Sequence, residues 1–271
     1  MAIKQPTVHY RYYFNLLSVL PYVVLTRLTH RTCREYWIVE PFVAGKCGLE
    51  IGGPSTIFLK HHLIPIYDRC QRIDNCDFSQ RNIWNEQFDR HIPGWNPGAE
   101  YVAEARELSC IPDETYDFVL ASHVLEHVAN PLSALQEWKR VLRPGGVMLV
   151  VVPDKLRTFD HNRPLTPFHH IEADFQGKTT EDDMTHLEEI LALHDLHLDP
   201  QAGSISEFRA RCLQNPALRG MHHHVFSPEV LGLAFERLDL RVLSITLEQP
   251  WHILGLAQKW TSEVGETEPW R

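Results

Sequence analysis

A doubly wound α/β domain, with a mainly parallel sheet covered by helices, is the fold class that this 271-residue chain predicts. Three observations carry it. Phe118–Ala121 and Val147–Val152 are continuous apolar runs, the pattern of parallel strands buried on both faces. Between them Leu132, Leu135, Trp138, Val141 and Leu142 recur at helical spacing, which makes a βαβ unit. Gly48-Leu49-Glu50-Ile51-Gly52-Gly53-Pro54 ends another apolar strand in small residues, where a ligand can approach the backbone.

The elements follow in order. Residues 12–28 are apolar but short for a membrane span and are interrupted by Asn15, Ser18 and Pro21. They predict a helix packed on the domain, with weak peripheral membrane contact as the alternative. No small-residue cleavage site follows, which argues against a signal peptide. The expected organisation is a helical extension over 1–43, a domain over 44–258 and a polar tail over 259–271. Lys46–Ile51 is the first strand. The second is expected within His62–Asp74, ended by Asp74, and the third over Glu100–Glu104. After the fourth, Asn130 is a good helix N-cap and Pro131 a good first helical residue. Arg143-Pro144-Gly145-Gly146 stops that helix and turns the chain into the fifth strand.

The α/β rhythm is lost over 153–221, a polar, His-rich and acidic insertion with one expected helix, Thr180–Leu193. Ser227-Pro228 opens a helix through Leu238, and Leu240–Leu247 and Trp251–Ala257 read as closing strands.

A formal charge of −9, with no run of like positive charge, argues against a nucleic-acid surface. The six cysteines form no CxxC pair and no zinc-type spacing, so they read as reduced thiols of a cytoplasmic protein.

Small residues after the first strand and an acid near the end of the second suit a nucleoside cofactor, whose ribose hydroxyls an acid can accept. Asp74 lies 24 residues beyond Glu50 and is favoured for that role on spacing, with Asp68 and Asp77 as competitors. Pro54 stands where a dinucleotide fingerprint needs its second glycine and removes a backbone donor, so a cofactor without phosphates fits better.

Val124-Leu125-Glu126-His127-Val128, followed by Pro131, Leu135, Glu137 and Arg140-Val141-Leu142-Arg143-Pro144-Gly145-Gly146, resembles the signature of class I S-adenosylmethionine-dependent methyltransferases. The resemblance covers roughly 46–153 by motif and 225–257 by element order. It implies a Rossmann-like seven-stranded sheet with the last strand reversed, S-adenosylmethionine as cofactor, and a lid formed by the insertion. It further implies that Glu50 orders the loop around the methionine portion and that Gly52, with Gly53 beside it, lets the cofactor come close. Asp74 would bind the ribose, Glu104 with Ala105 would contact the adenine edge, and Ser122 and His123 would line the cleft near the sulfonium.

Methyl transfer to a hydroxyl needs alignment, exclusion of water and removal of a proton, for which a histidine is suited. His127 and the run His222-His223-His224 are the candidate bases. Nine histidines between His161 and His224, interleaved with Asp and Arg, suit a polyhydroxylated acceptor such as a sugar or glycan precursor rather than a lipid quinone. His123, Glu126 and His127 share a helical face if that segment is helical, and a later histidine such as His186 could complete a metal shell. That triplet resembles a motif of metal-dependent O-methyltransferases, but a loop cap without metal is the favoured reading. A catalytically silent binding protein is the alternative that Pro54 motivates. RNA 2′-O-methylation rests only on the metal-like triplet, against the acidic charge.

Overall fold

The computed structural model describes residues 32–80, 82 and 95–261. The expectations for residues 12–28 and for the end of the tail lie outside that set. One seven-stranded sheet organises the chain: β1 (Cys47–Ile51), β2 (Arg72–Asp77), β3 (Pro97–Val102), β4 (Tyr116–Ser122), β5 (Leu142–Pro153), β6 (Leu240–Glu248) and β7 (His252–Lys259). The strand order is β3-β2-β1-β4-β5-β7-β6. β1 to β5 run parallel, and β7 pairs antiparallel with both β5 and β6. The order reverses between β1 and β4, which opens a crevice at their carboxyl ends.

Helices cover both faces. On one, α2 (Pro131–Val141) and α7 (Pro228–Arg237) bring Leu135, Trp138, Leu231 and Phe235 against Leu49, Ile51, Val119 and Val150. Asn130 accepts from Ser133 N at 3.1 Å and Ser227 from Val230 N at 3.2 Å, so both expected caps form. On the other face α1 (Arg34–Val43) seats Tyr36, Val39 and Val43 against Phe118, Leu149 and Leu256. Residues 34–43 are therefore part of the core rather than an extension from it. All six cysteines are free thiols.

The second strand starts later than its sequence suggests. Pro65 interrupts the His62 run, and Ile64 and Ile66 instead hydrogen-bond back to Ile57 and Phe58 while filling the core. Asp74 consequently sits within β2, and Asp77 ends it.

Between β5 and α7 the chain forms an insertion of four helices, α3 (Phe168–Gly177), α4 (Leu187–Leu193), α5 (Ile205–Cys212) and α6 (Asn215–Leu218), the segment expected to serve as a lid. A small core of its own, including Leu187, Ile190, Phe208, Cys212 and Met221, holds it together. The expected helix over 180–193 shortens to α4, because Asp183 captures Thr185 N and Oγ1 at 3.2 and 2.6 Å.

Candidate functional site

The crevice is lined by the turns that follow β1, β2 and β4. After β1, Gly52 adopts φ +71°, and a Cβ there would lie 2.6 Å from Val124 Cγ2. Only glycine lets this loop pass the loop after β4 so closely. Its amide donates to Cys76 O at 2.8 Å, tying the β1 and β2 ends together.

Beneath the loop Glu50 is buried, and a Cβ on Gly53 would lie 2.3 Å from its Cδ. Tyr67 Oη donates to Glu50 Oε2 at 2.6 Å and accepts from Ser55 N at 2.6 Å. Among the described residues Oε1 has no hydrogen-bond partner. Burial pushes this carboxyl up to about 7, against the hydrogen bonds that favour its charge. A buried acceptor with an unpaired oxygen, under a loop that excludes side chains, fits the cationic amino group of a methionine moiety. Tyr67, the partner that shapes this acid, carried no sequence signal beyond its place in an apolar run.

Asp74 is not at the crevice, which corrects the ribose assignment. It is buried in mid-strand, where it accepts from Tyr116 Oη at 2.7 Å and Ala99 N at 3.0 Å and pairs with Arg72 at 2.9 Å. Those bonds hold β2, β3 and β4 together. Asp77 occupies the strand end, with Asn82 Nδ2 on Oδ2 at 2.8 Å and its own next amide on Oδ1.

Glu104 follows β3, but its carboxylate accepts from Arg219 of the lid at 2.5 Å, while that guanidinium also covers the Phe78 ring. Ala105 gives its carbonyl to Trp138 Nε1 at 2.9 Å. Ser122 ends β4 and stays partly exposed. His123 is at φ +55°, a conformation costing a non-glycine residue about 1–3 kcal/mol. It is held by its amide on Val151 O at 2.8 Å and by its ring, Nε2 to His252 Nδ1 at 3.0 Å. His252, on the antiparallel β7, was invisible as a site residue in the sequence. Burial pushes it well below the usual imidazole range.

The histidines of the lid exit divide. His223 is buried against Asn215 Nδ2 at 3.0 Å, and burial with its neighbour His224 pushes it down to about 3. His224 is buried on Asp174 Oδ2 at 3.0 Å and is lowered by burial. Both brace the lid, which removes them as bases: neither ring faces the crevice with exposed surface. His127 and His222 instead meet at a ring separation of 4.5 Å beside Glu126. Burial, then the neighbouring His222, pushes His127 down to about 3. For His222, burial works against charge but the Asp160 carboxylate at 2.5 Å outweighs it and raises the group. Asp160 also pairs with the fully buried Arg163 at 3.0 Å. Glu126, with His127 on the same short turn, gathers His222 as its later histidine. His186 joins His170 and His224 in a separate cluster.

Across residues 25–245 the chain matches a family model described as a methyltransferase domain. It is 44% identical over 149 residues to a probable S-adenosylmethionine-dependent methyltransferase of Mycolicibacterium smegmatis, covering 54% of this chain and 49% of that one. It is 33% identical over 76 residues to the ubiquinone biosynthesis O-methyltransferase of Parvibaculum lavamentivorans, covering 28% of this chain and 29% of that one. The chain thus spans about half or less of the length of these curated relatives. A SAM-dependent methyltransferase structure from Methanosarcina mazei superposes with a TM-score of 0.48 at 17% identity, covering 83% of this chain and 98% of that one.

Proposed function

The chain belongs to the methyltransferase domain family, and we propose that it is an S-adenosylmethionine-dependent methyltransferase that O-methylates a small polyhydroxylated acceptor, such as a sugar or glycan precursor. The bound cofactor supplies a methyl group already activated by its sulfonium.

The chain's own residues do the rest. Glu50 receives the amino group, the Gly52 loop admits the methionine portion, and Asp77 takes over the ribose role at the end of β2. Ser122 and His123 stand at the end of β4, where the reacting atoms align. The acceptor hydroxyl is held, and loses its proton, on the Glu126–His127–His222 side of the crevice.

The observation that carries the acceptor class is the buried polar network of the lid. Arg163, 1% exposed, donates to Asp160 at 3.0 Å, to Glu189 at 2.9 Å and to the His222 carbonyl at 2.9 Å. These groups satisfy one another, so they hold in place a polar, His-rich insertion whose remaining side chains suit an acceptor with many hydroxyls. Incubation with methyl-labelled cofactor and a panel of sugars, glycans and lipid-linked acceptors tests this. Label on the oxygen of a hydroxylated acceptor is expected. Label only on nitrogen or carbon acceptors, or on none, overturns the reading.

A further inference from the structure

Hydrogen-bond acceptors converge at the turn after β4. Glu126 is 1% exposed, and among the described residues neither of its carboxylate oxygens has a hydrogen-bond partner. His123 Nδ1 approaches Oε1 only to 3.5 Å. His127 bonds through Nδ1 to the Met221 carbonyl at 3.0 Å. A carbonyl only accepts, so the proton is on Nδ1 and Nε2 carries the lone pair. His222 turns its Nδ1 to Asp160 Oδ2, a carboxylate that likewise requires a donor, so its other ring nitrogen is the one available for a ligand. One ligand atom from each of Glu126, His127 and His222 lies within 4.8 Å of the other two.

A buried carboxylate whose oxygens lack hydrogen bonds from the described residues is costly unless a cation sits beside it. We infer that Glu126, His127 and His222 bind a divalent transition-metal ion of the zinc type. Two imidazoles and one carboxylate are a donor set for such an ion, and three protein ligands leave a position for water or an acceptor oxygen. The supporting shell is also present. The far nitrogen of each imidazole is fixed by a carbonyl or a carboxylate, the arrangement that orients metal-bound histidines. The lid exit is fastened to the same turn, with His223 N on Glu126 O at 2.8 Å, so His222 is delivered by backbone pairing rather than by a free side chain.

The second histidine cluster does not demand an ion. There Asp174 receives His224 at 3.0 Å and lies 3.4 Å from His170, and the His170 and His186 ring nitrogens are 3.1 Å apart. Hydrogen bonds account for those contacts.

The inference deepens the proposed function, on which it rests only for placing the acceptor beside the ion. The test uses the full chain, stripped with chelator and titrated with Co²⁺ and Zn²⁺ by calorimetry and, for Co²⁺, visible absorption. One equivalent is expected to bind with the absorption of a low-symmetry Co²⁺ site. Glu126→Gln should weaken uptake about tenfold or more, and His222→Gln likewise, with His186→Ala close to wild type. Melting curves in chelator establish that each variant is folded, and the two substitutions on different segments back each other up. No uptake by wild type overturns the inference. So does uptake unchanged by both Glu126→Gln and His222→Gln, or lost only on His186→Ala. S-adenosylhomocysteine binding measured in parallel keeps the two readings apart, since its loss strikes the cofactor assignment and leaves the metal measurement standing.

Discussion

Cofactor binding should depend on pH through Glu50, in a direction the burial of that residue dictates. Its carboxyl is pushed up to about 7, so the charged form that would attract the cofactor's ammonium is the minority form in mildly acidic solution. A group titrating near 7 is about one-tenth ionised at pH 6 and about nine-tenths ionised at pH 8. If the ammonium binds only the carboxylate, affinity for S-adenosylhomocysteine rises about tenfold across that interval. Stability of the free protein runs the other way. A carboxyl raised from 4.5 to about 7 on folding makes a stabilising contribution that is present below 4.5 and lost as pH rises through 7, on the order of 3 kcal/mol. Calorimetric titration at half-unit steps, with wild type and Glu50→Gln, measures the first effect. Affinity flat within about twofold from pH 6 to 8, or an equal slope in Glu50→Gln, would refute the reasoning.

Other expectations follow from the same geometry. Asp77→Ala should weaken S-adenosylhomocysteine about tenfold or more by calorimetry. Asp74→Ala should instead lower unfolding free energy by about 3 kcal/mol, because it strands the Tyr116 hydroxyl and the Ala99 amide, read from denaturant midpoints. The reverse pattern would restore Asp74 as the ribose ligand. Gly52→Ala should cost about 1–3 kcal/mol from the positive φ and the 2.6 Å approach to Val124, and Val124→Ala in the same chain should recover part of it. Additive losses in that double-mutant cycle would show that the two loops do not meet. Asp160→Asn leaves Arg163 with a weakened partner in a buried site and should destabilise the protein by about 3–5 kcal/mol, with amide exchange rising first in the lid.

Much of the fold was legible because its signals are local. The Asn130–Pro131 and Ser227–Pro228 helix starts and the two apolar runs each depend on neighbours within a few residues. The site was legible only in part. Glu50 and Gly52 could be found because a strand end and a glycine turn sit side by side in the sequence. Asp74 was misplaced because Pro65 delays the second strand, so a spacing counted from Glu50 lands inside it. Tyr67, His252 and Asp160 act through contacts spanning 17, 129 and 62 residues, which no periodicity reports. The His222–His224 run read as one catalytic group. Its members instead find different partners far off in the sequence, Asn215 and Asp174 taking His223 and His224 into the packing of the insertion while His222 turns to Asp160.

The most direct test of the account is a crystal structure with S-adenosylhomocysteine bound. The account predicts the ribose diol on Asp77, the amino group at Glu50, and the sulfur facing the Ser122–His123 turn. A nucleoside lying elsewhere, or a crevice that stays closed by Val124 and the Gly52 loop at saturating ligand, would contradict it.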